Sequence, residues 1–345
     1  MDAIIRHLLE TNSNENMTLE ILNEKIFLMN QPAIVFICLL FPIGILGNCA
    51  VIYIYLCCLR YSNLNLFISS LAFFDLICCL IGINFELIDL FLPVMHPSKL
   101  ICKFQRLSVF FCCIGSSLML LAIALERYQK VCRPTNFQFS KFQGRILTFV
   151  INFCSLAFSL PVIWAIRIDV PDFEYKLNVS TCEFKSSVSW RIYFAAVFLG
   201  YSLDLIVNFV LYCLVWRTAR RHFLRLDMPD ESKLDKDKRK NIRKLHRINR
   251  TVISITALFA LSFSPFCILS LIPKDVESKN FTIEETIRRV CSRLWILNCT
   301  MNPVVYGFCN KEFRIQVKRI VYGLVRKNIS TNSSQIDCTE DDENN

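Results

Sequence analysis

The chain has 345 residues, 54% of them hydrophobic and only 20% charged, with a formal charge of +10 and a mean hydropathy of +0.41. Soluble domains carry about 25% charged residues, so a soluble globular enzyme is disfavoured, as are intrinsic disorder, which needs few apolar residues, and, with 29 Phe against 8 Gly, collagen-like or glycine-linker chains. The positive balance admits nucleic acid or a membrane surface as partner, and the placement of the charges decides between them.

Residues 1–31 are polar. They show no positive start followed by an apolar stretch, so no cleaved signal peptide is expected and the first apolar span is the insertion signal. A bilayer core of ~30 Å needs ~20 apolar residues as helix, and seven segments reach or approach that length. They run over 32–59 (no charge), 64–84 (one charge, Asp75), 107–125 and 146–166 (none), 192–216 (Asp204), 251–273 (none) and 290–309 (Arg293 near its start). Between the fifth and sixth lies Arg217–Arg250, 34 residues rich in Lys and Arg. Lipid cannot satisfy open backbone groups, and these segments do not alternate as barrel strands do. The fold class expected is therefore an all-α membrane protein, a seven-transmembrane helix bundle over 32–310. A short amphipathic eighth helix follows at 311–327 and a polar tail at 328–345.

Seven spans put the two ends on opposite sides. Of the 39 Lys and Arg, 25 fall on the side holding Arg60, the 126–145 connector, Arg217–Arg250 and Lys311–Lys327. The richer side is cytoplasmic, so the N-terminus is extracellular and the localisation expected is the plasma membrane. The glycosylation triplets at Asn16, Asn178 and Asn280 fall outside; those at Asn298, Asn328 and Asn332 fall in a span or inside and are expected to be silent. Most of the 18 Cys lie within spans, where Cys is a small buried apolar residue. No CxxC pair has a matching partner set, so zinc is not expected. Cys102 and Cys182 are the disulfide candidates on the oxidising side, with Cys291 near a span end.

Taken in chain order, the short motifs are Gly47-Asn48, Leu71-Ala72-Phe73-Phe74-Asp75, Cys102 at the head of span three with Glu126-Arg127-Tyr128 at its foot, Phe263-Ser264-Pro265, and Asn302-Pro303-Val304-Val305-Tyr306 followed by Phe313-Arg314. Together, in this order, they resemble a rhodopsin-like (class A) G-protein-coupled receptor over about residues 32–320. The resemblance implies a sodium ion held by Asp75 with Ser116, Asn298 and Asn302, no other cofactor, and no enzymatic activity. The other reading of Asp75 is a protonated acid hydrogen-bonded to those neighbours. It implies an activation switch in which Arg127, beside Glu126 and Tyr128, is held inward at rest and freed to meet the G protein, with Tyr212 and Tyr306 swinging toward it. Pro265 and Pro303 each remove an intrahelical hydrogen bond and serve as hinges.

Three departures from the family pattern bear on that switch. No acid lies between Asp237 and Asp275 to pair Arg127 from span six: either basal activity is raised, or Glu126 alone restrains Arg127. Asp204 stands where the family has a Pro in span five, facing Ser117 and Phe259, so a Ser117–Asp204 hydrogen bond in place of the usual apolar switch is expected; the alternative is an Asp204 that faces a water cavity. Phe263 replaces the usual Trp, and the span-four Trp is missing.

Val109 replaces the amine-binding Asp and Ile296 the retinal-binding Lys, which argues against monoamine and retinal ligands. The pocket wall expected includes Gln105, Val109, Phe110, Cys113, Phe266, Ser270 and Ser292, with Glu86 and Asp89 on a charged rim. A charged mouth over an apolar floor fits a peptide, and a neuropeptide is the ligand expected; a lipid or other small molecule is the alternative. The inner partner is a heterotrimeric G protein. Ser330, Thr331, Ser333, Ser334 and Thr339 read as a segment for a receptor kinase and arrestin. No nucleic acid is expected. A non-signalling scaffold or a transporter is the rival from another class; the latter predicts an internal repeat, and none is visible.

Overall fold

The computed structural model describes residues 4–5, 8, 18–135, 138–167, 170–172, 177–184, 187–226, 236–271 and 281–323. The helices are α1 (Leu19–Tyr53), α2 (Asn63–Ile77), α3 (Asn84–Phe91), α4 (Lys99–Cys132), α5 (Lys141–Ser159), α6 (Val162–Ala165), α7 (Val188–Leu226), α8 (Lys236–Leu271), α9 (Phe281–Cys291) and α10 (Ile296–Cys309). Residues 311–323 are also helical. Wider π turns over Ile54–Cys58 and Cys78–Ile83 extend α1 and join α2 to α3. Spans one to seven are thus α1, α2–α3, α4, α5–α6, α7, α8 and α9–α10.

Each helix start that carries a capping residue follows from its sequence. Thr18 accepts from Ile21 N at 3.3 Å, Ser62 from Asn65 N at 3.1 Å and Ser98 from Leu100 N at 3.2 Å. Ser140 and Gln143 bond each other's backbone reciprocally at 3.2 and 2.9 Å, a capping box. The side-chain oxygens satisfy amide groups that the first helical turn leaves without partners.

The spans close into a bundle. Span one packs on two and seven, span two on three, three on four and five, five on six, and six on seven. The core is divided by depth. Phe67, Phe74, Leu120, Phe259 and Tyr306 belong to one cluster, and Ile37, Cys79, Ile83, Cys112 and Ile296 to another. The outward faces carry Leu39, Leu46, Phe149, Phe209 and Leu261, all about 70% exposed. Polar residues such as Asn48, Asp75 and Asn302 are buried inside the bundle while these large apolar side chains are exposed, the arrangement that lipid accepts and water penalises. Among the described residues, five helices are long and apolar enough to cross a membrane: Leu19–Cys58, Asn63–Phe91, Lys99–Cys132, Lys141–Ala165 and Val188–Arg221. Gly47 lets span one touch span seven: a Cβ there would stand 2.6 Å from Pro303 Cβ.

The helices overrun the boundaries drawn from hydropathy. The expected tail 1–31 is helical from Leu19, because Leu22, Ile26 and Met29 repeat at helical spacing and pack with Ile4, Ile5, Leu8, Val94 and Val179. The polar connector Arg217–Arg250 is helical through Leu226 and again from Lys236; Lys and Arg are good helix formers and end a hydrophobic run without ending a helix. Span four breaks at Pro161, and span seven breaks between Cys291 and Ile296, at the Arg293 that already marked its start. Short antiparallel strands β1 (Ile166–Arg167) with β4 (Glu183–Phe184), and β2 (Val170–Asp172) with β3 (Leu177–Val179), form the loop between spans four and five.

Candidate functional site

The polar residues of the bundle lie in three layers. At the mouth, Cys102 at the head of α4 is disulfide-bonded to Cys182, with a Cα–Cα distance of 5.7 Å, while Cys291 is a free thiol. Cys102 packs on Val162 and Ile166, so the bond ties span three to the hairpin loop. Beside it, Gln105 Nε2 donates to Asp89 Oδ2 at 2.8 Å and to Glu86 Oε2 at 3.2 Å. Arg106 pairs with Asp89 at 3.1 Å, Arg293 with Glu86 at 2.9 Å, and His96 Nε2 lies 3.1 Å from Asp89 Oδ1. Arg289 is bonded to Asn30 Oδ1 and lies 3.4 Å from Glu285. Asn30 in turn donates to Leu90 O at 2.7 Å.

Glu86, Gln105, Glu285 and Arg289 are buried and Asp89, Arg106 and Arg293 partly exposed, and together with Asn30 they form a network joining spans one, two, three and seven. Buried charges persist where they are paired and hydrogen-bonded. Arg106, His96 and Asn30 were not among the expected pocket residues. The signal available was Arg106 following Gln105 one turn below Cys102.

Phe110 belongs to an aromatic group with Phe184, Tyr193 and Phe194, Val109 packs in the upper core, and Ser292 Oγ donates to Arg289 O at 3.1 Å. The side chains of Phe266 and Ser270 lie outside the described residues, as do Asn16, Asn280 and the side chain of Asn178.

At mid-depth, Asp75 is almost fully buried. It accepts from Ser116 Oγ at 3.3 Å and from Asn302 Nδ2 at 2.7 Å. Next to it is a cavity of about 10 Å³, room for roughly one water-sized body. Asn298 lines it, and its Oδ1 is buried without a hydrogen-bond partner. Cys113, expected in the ligand pocket, lines this deeper cavity instead, because it stands one turn above Ser116. On the other side of span three, Ser117 Oγ donates to Asp204 Oδ2 at 2.6 Å. The Phe263 ring stands 5.0 Å from Phe259 and 5.4 Å from Tyr201, where the larger indole is absent.

At the foot of span three, Arg127 Nε donates to Glu126 Oε2 at 2.6 Å, and Lys130 pairs with Glu126 Oε1 at 2.6 Å. Arg127 and Glu126 are both buried, and among the described residues the ion pair of Arg127 is made with its own helix. Tyr128 packs on the small cluster of Val131, Val215 and Ala219. Tyr212 and Tyr306 are buried in the core, Tyr306 against Tyr55 at 5.6 Å and Phe313 at 6.0 Å. Pro265 and Pro303 lie inside their helices.

The family model described as 7 transmembrane receptor (rhodopsin family) matches residues 47–306. The chain is 26% identical to the pyroglutamylated RF-amide peptide receptor of Mus musculus over 85% of this chain and 70% of that protein. It is 26% identical to the neuropeptide Y receptor type 4 of Mus musculus over 81% of this chain and 76% of that one. It is 25% identical to the trace amine-associated receptor 4 of Mus musculus over 79% and 80%.

Proposed function

The chain belongs to the rhodopsin family of 7 transmembrane receptors, a family of multi-pass membrane receptors and not of enzymes, and from that premise we propose that it binds a peptide on its extracellular face and promotes nucleotide exchange on a heterotrimeric G protein inside the cell. The observation that carries the peptide reading is the largely enclosed ionic network of Glu86, Asp89, Arg106 and Arg293 around Gln105. It offers both signs of charge and amide-like hydrogen bonding within one site, as a peptide backbone and its polar termini require. Two of the relatives are named as peptide receptors, and Val109 supplies no carboxylate for an amine.

A ligand that exchanges partners within this network shifts spans two, three and seven against each other, because each contributes a charged group to it. Asp75 and Asn302 couple spans two and seven below, and Ser117 and Asp204 couple three and five. Release of Arg127 from Glu126 then presents the arginine to the G protein. The oxygen donors around the cavity, with the unpartnered Asn298 Oδ1, fit a hard cation. Asp75, Ser116, Asn298 and Asn302 would hold a sodium ion there, which would supply positive charge to the buried carboxylate and favour the resting arrangement. Plasma-membrane residence with the N-terminus outside, and a receptor kinase and arrestin acting on Ser330–Thr339, complete the proposal. A library of peptides, lipids and amines applied to cells expressing the receptor with a promiscuous G protein tests it. A peptide hit that Arg127→Ala abolishes supports the reading; hits confined to lipids or amines overturn the ligand class.

A further inference from the structure

The turn between spans one and two meets the start of span four on the side that the Lys and Arg distribution makes cytoplasmic. Asn63 Nδ2 donates to Phe139 O at 2.7 Å and to Ser140 O at 3.2 Å, and Tyr61 Oη donates to Lys141 O at 3.4 Å. Gly144 permits the approach, since a Cβ there would stand 2.5 Å from Asn63 Oδ1. These contacts hold the Tyr61 ring against two cations from the first turns of α5. Lys141 Nζ lies 5.6 Å from the ring centroid and Arg145 Cζ 5.4 Å. Tyr61, Lys141 and Arg145 are all exposed. Among the described residues Arg106, Arg127, Lys130, Arg289 and Arg293 pair with acids, and Lys141 and Arg145 do not. The face of an exposed tyrosine attracts a cation only weakly and leaves its charge uncompensated.

Further along the same helix the exposed side chains turn apolar. Phe142, Phe149 and Phe153 are 66–73% exposed, and Phe149 and Phe153 stand one and two turns beyond Arg145. Lys141 opens the membrane-crossing helix Lys141–Ala165, and tyrosine favours the membrane–water boundary. The two cations therefore lie at headgroup level and the phenyl rings at the level of the acyl chains. The positive-inside bias alone asks for Lys and Arg at this end. It does not ask that two of them converge on one ring, without an acid, at the head of a phenylalanine stripe. An anion with an apolar tail matches both halves of this surface. Phosphate oxygens suit the planar fork of arginine and the point charge of lysine alike.

We infer that Lys141, Arg145 and Tyr61 form a binding site for an anionic phospholipid of the cytoplasmic leaflet. Its phosphate bonds to the Lys141 ammonium and the Arg145 guanidinium, and its acyl chain lies along Phe149 and Phe153. The bound lipid fastens the first cytoplasmic turn and span four to the leaflet. None of these residues belongs to the Arg127 switch or to the mouth network. The inference rests on the inward orientation of this face only for the leaflet that supplies the lipid; binding to the purified chain does not depend on it.

The test is native mass spectrometry of the purified full chain in detergent micelles, with phosphatidylinositol bisphosphate as the probe. The expected result is one retained lipid per receptor and no retained phosphatidylcholine. Each cation at a lipid surface strengthens binding about fivefold, so Lys141→Gln/Arg145→Gln is expected to bind the probe about 25-fold more weakly. Lys318→Gln/Arg319→Gln removes the same charge from the helix at 311–323 and is expected to bind as wild type does. Should the first double variant fail to express, Arg145→Gln alone is read in its place, with a loss of about fivefold. Equal retention of phosphatidylcholine, or an equal loss in the two double variants, would reduce the site to a general positive surface and overturns the inference. Soluble inositol trisphosphate bound as tightly as the lipid overturns the assignment to a membrane lipid. A retained lipid in a receptor whose tags show the reverse orientation sinks the leaflet and not the site.

Discussion

Ser117 Oγ and Asp204 Oδ2 lie 2.6 Å apart, a direct hydrogen bond between spans three and five, with both residues buried. It lies between the mouth network and the Arg127 end of the bundle, at the level of the Tyr201, Phe259 and Phe263 rings. Asn at position 204 keeps an oxygen acceptor for the Ser117 hydroxyl. Asp204→Asn is therefore expected to preserve expression and signalling. Ser117→Ala leaves a buried carboxyl oxygen without its partner, a loss of about 1–3 kcal/mol, and is expected to lower the thermal midpoint of the purified receptor. Complete loss of nucleotide exchange by Asp204→Asn at normal surface level would contradict this role.

Arg127 is held by Glu126 of its own helix. Removing the negative charge in Glu126→Gln weakens charge-assisted hydrogen bonds worth about 1.5–3 kcal/mol. Basal nucleotide exchange by the variant is expected to rise severalfold above wild type in matched membranes. An unchanged basal rate would mean that another group restrains the arginine.

The mouth network makes a coupling prediction. Glu86 and Arg293 pair at 2.9 Å with side chains 6% and 15% exposed. Breaking a buried pair from one side costs about 3–5 kcal/mol, and partners in contact are non-additive. Glu86→Gln and Arg293→Gln are each expected to lower the thermal midpoint, and the double variant by less than the sum of the two. Strict additivity would show that the two groups act independently.

Much of the bundle was legible because lipid imposes length. Uninterrupted apolar runs located the spans, and Asp75, Arg127 and Pro303 stand out as polar or helix-breaking residues inside them. The ends of the helices were not legible, since Lys- and Arg-rich turns continue a helix after hydropathy has fallen, as at Arg217–Leu226. The pairings at the mouth were not legible for a different reason. Arg289 meets Asn30 across 259 positions and His96 meets Asp89 from a loop, pairings that only the closed bundle creates. Cys78, Cys112 and Cys299 were read one at a time as apolar fillers; that all three line the cavity beside Asp75 depends on three spans meeting at one depth.

The orientation of the chain is tested by epitope tags. An N-terminal tag is expected to be stained on intact cells and a C-terminal tag only after permeabilisation. Staining of both tags on intact cells would reverse the assignment drawn from the Lys and Arg distribution.

The relay itself is tested most directly by nucleotide exchange on a purified heterotrimeric G protein, with the receptor in lipid nanodiscs and a peptide from the library screen as stimulus. Accelerated exchange with wild type, absent with Arg127→Ala at equal peptide binding, is the predicted result. Peptide binding with no change in exchange for the wild-type receptor across G-protein classes would contradict the account.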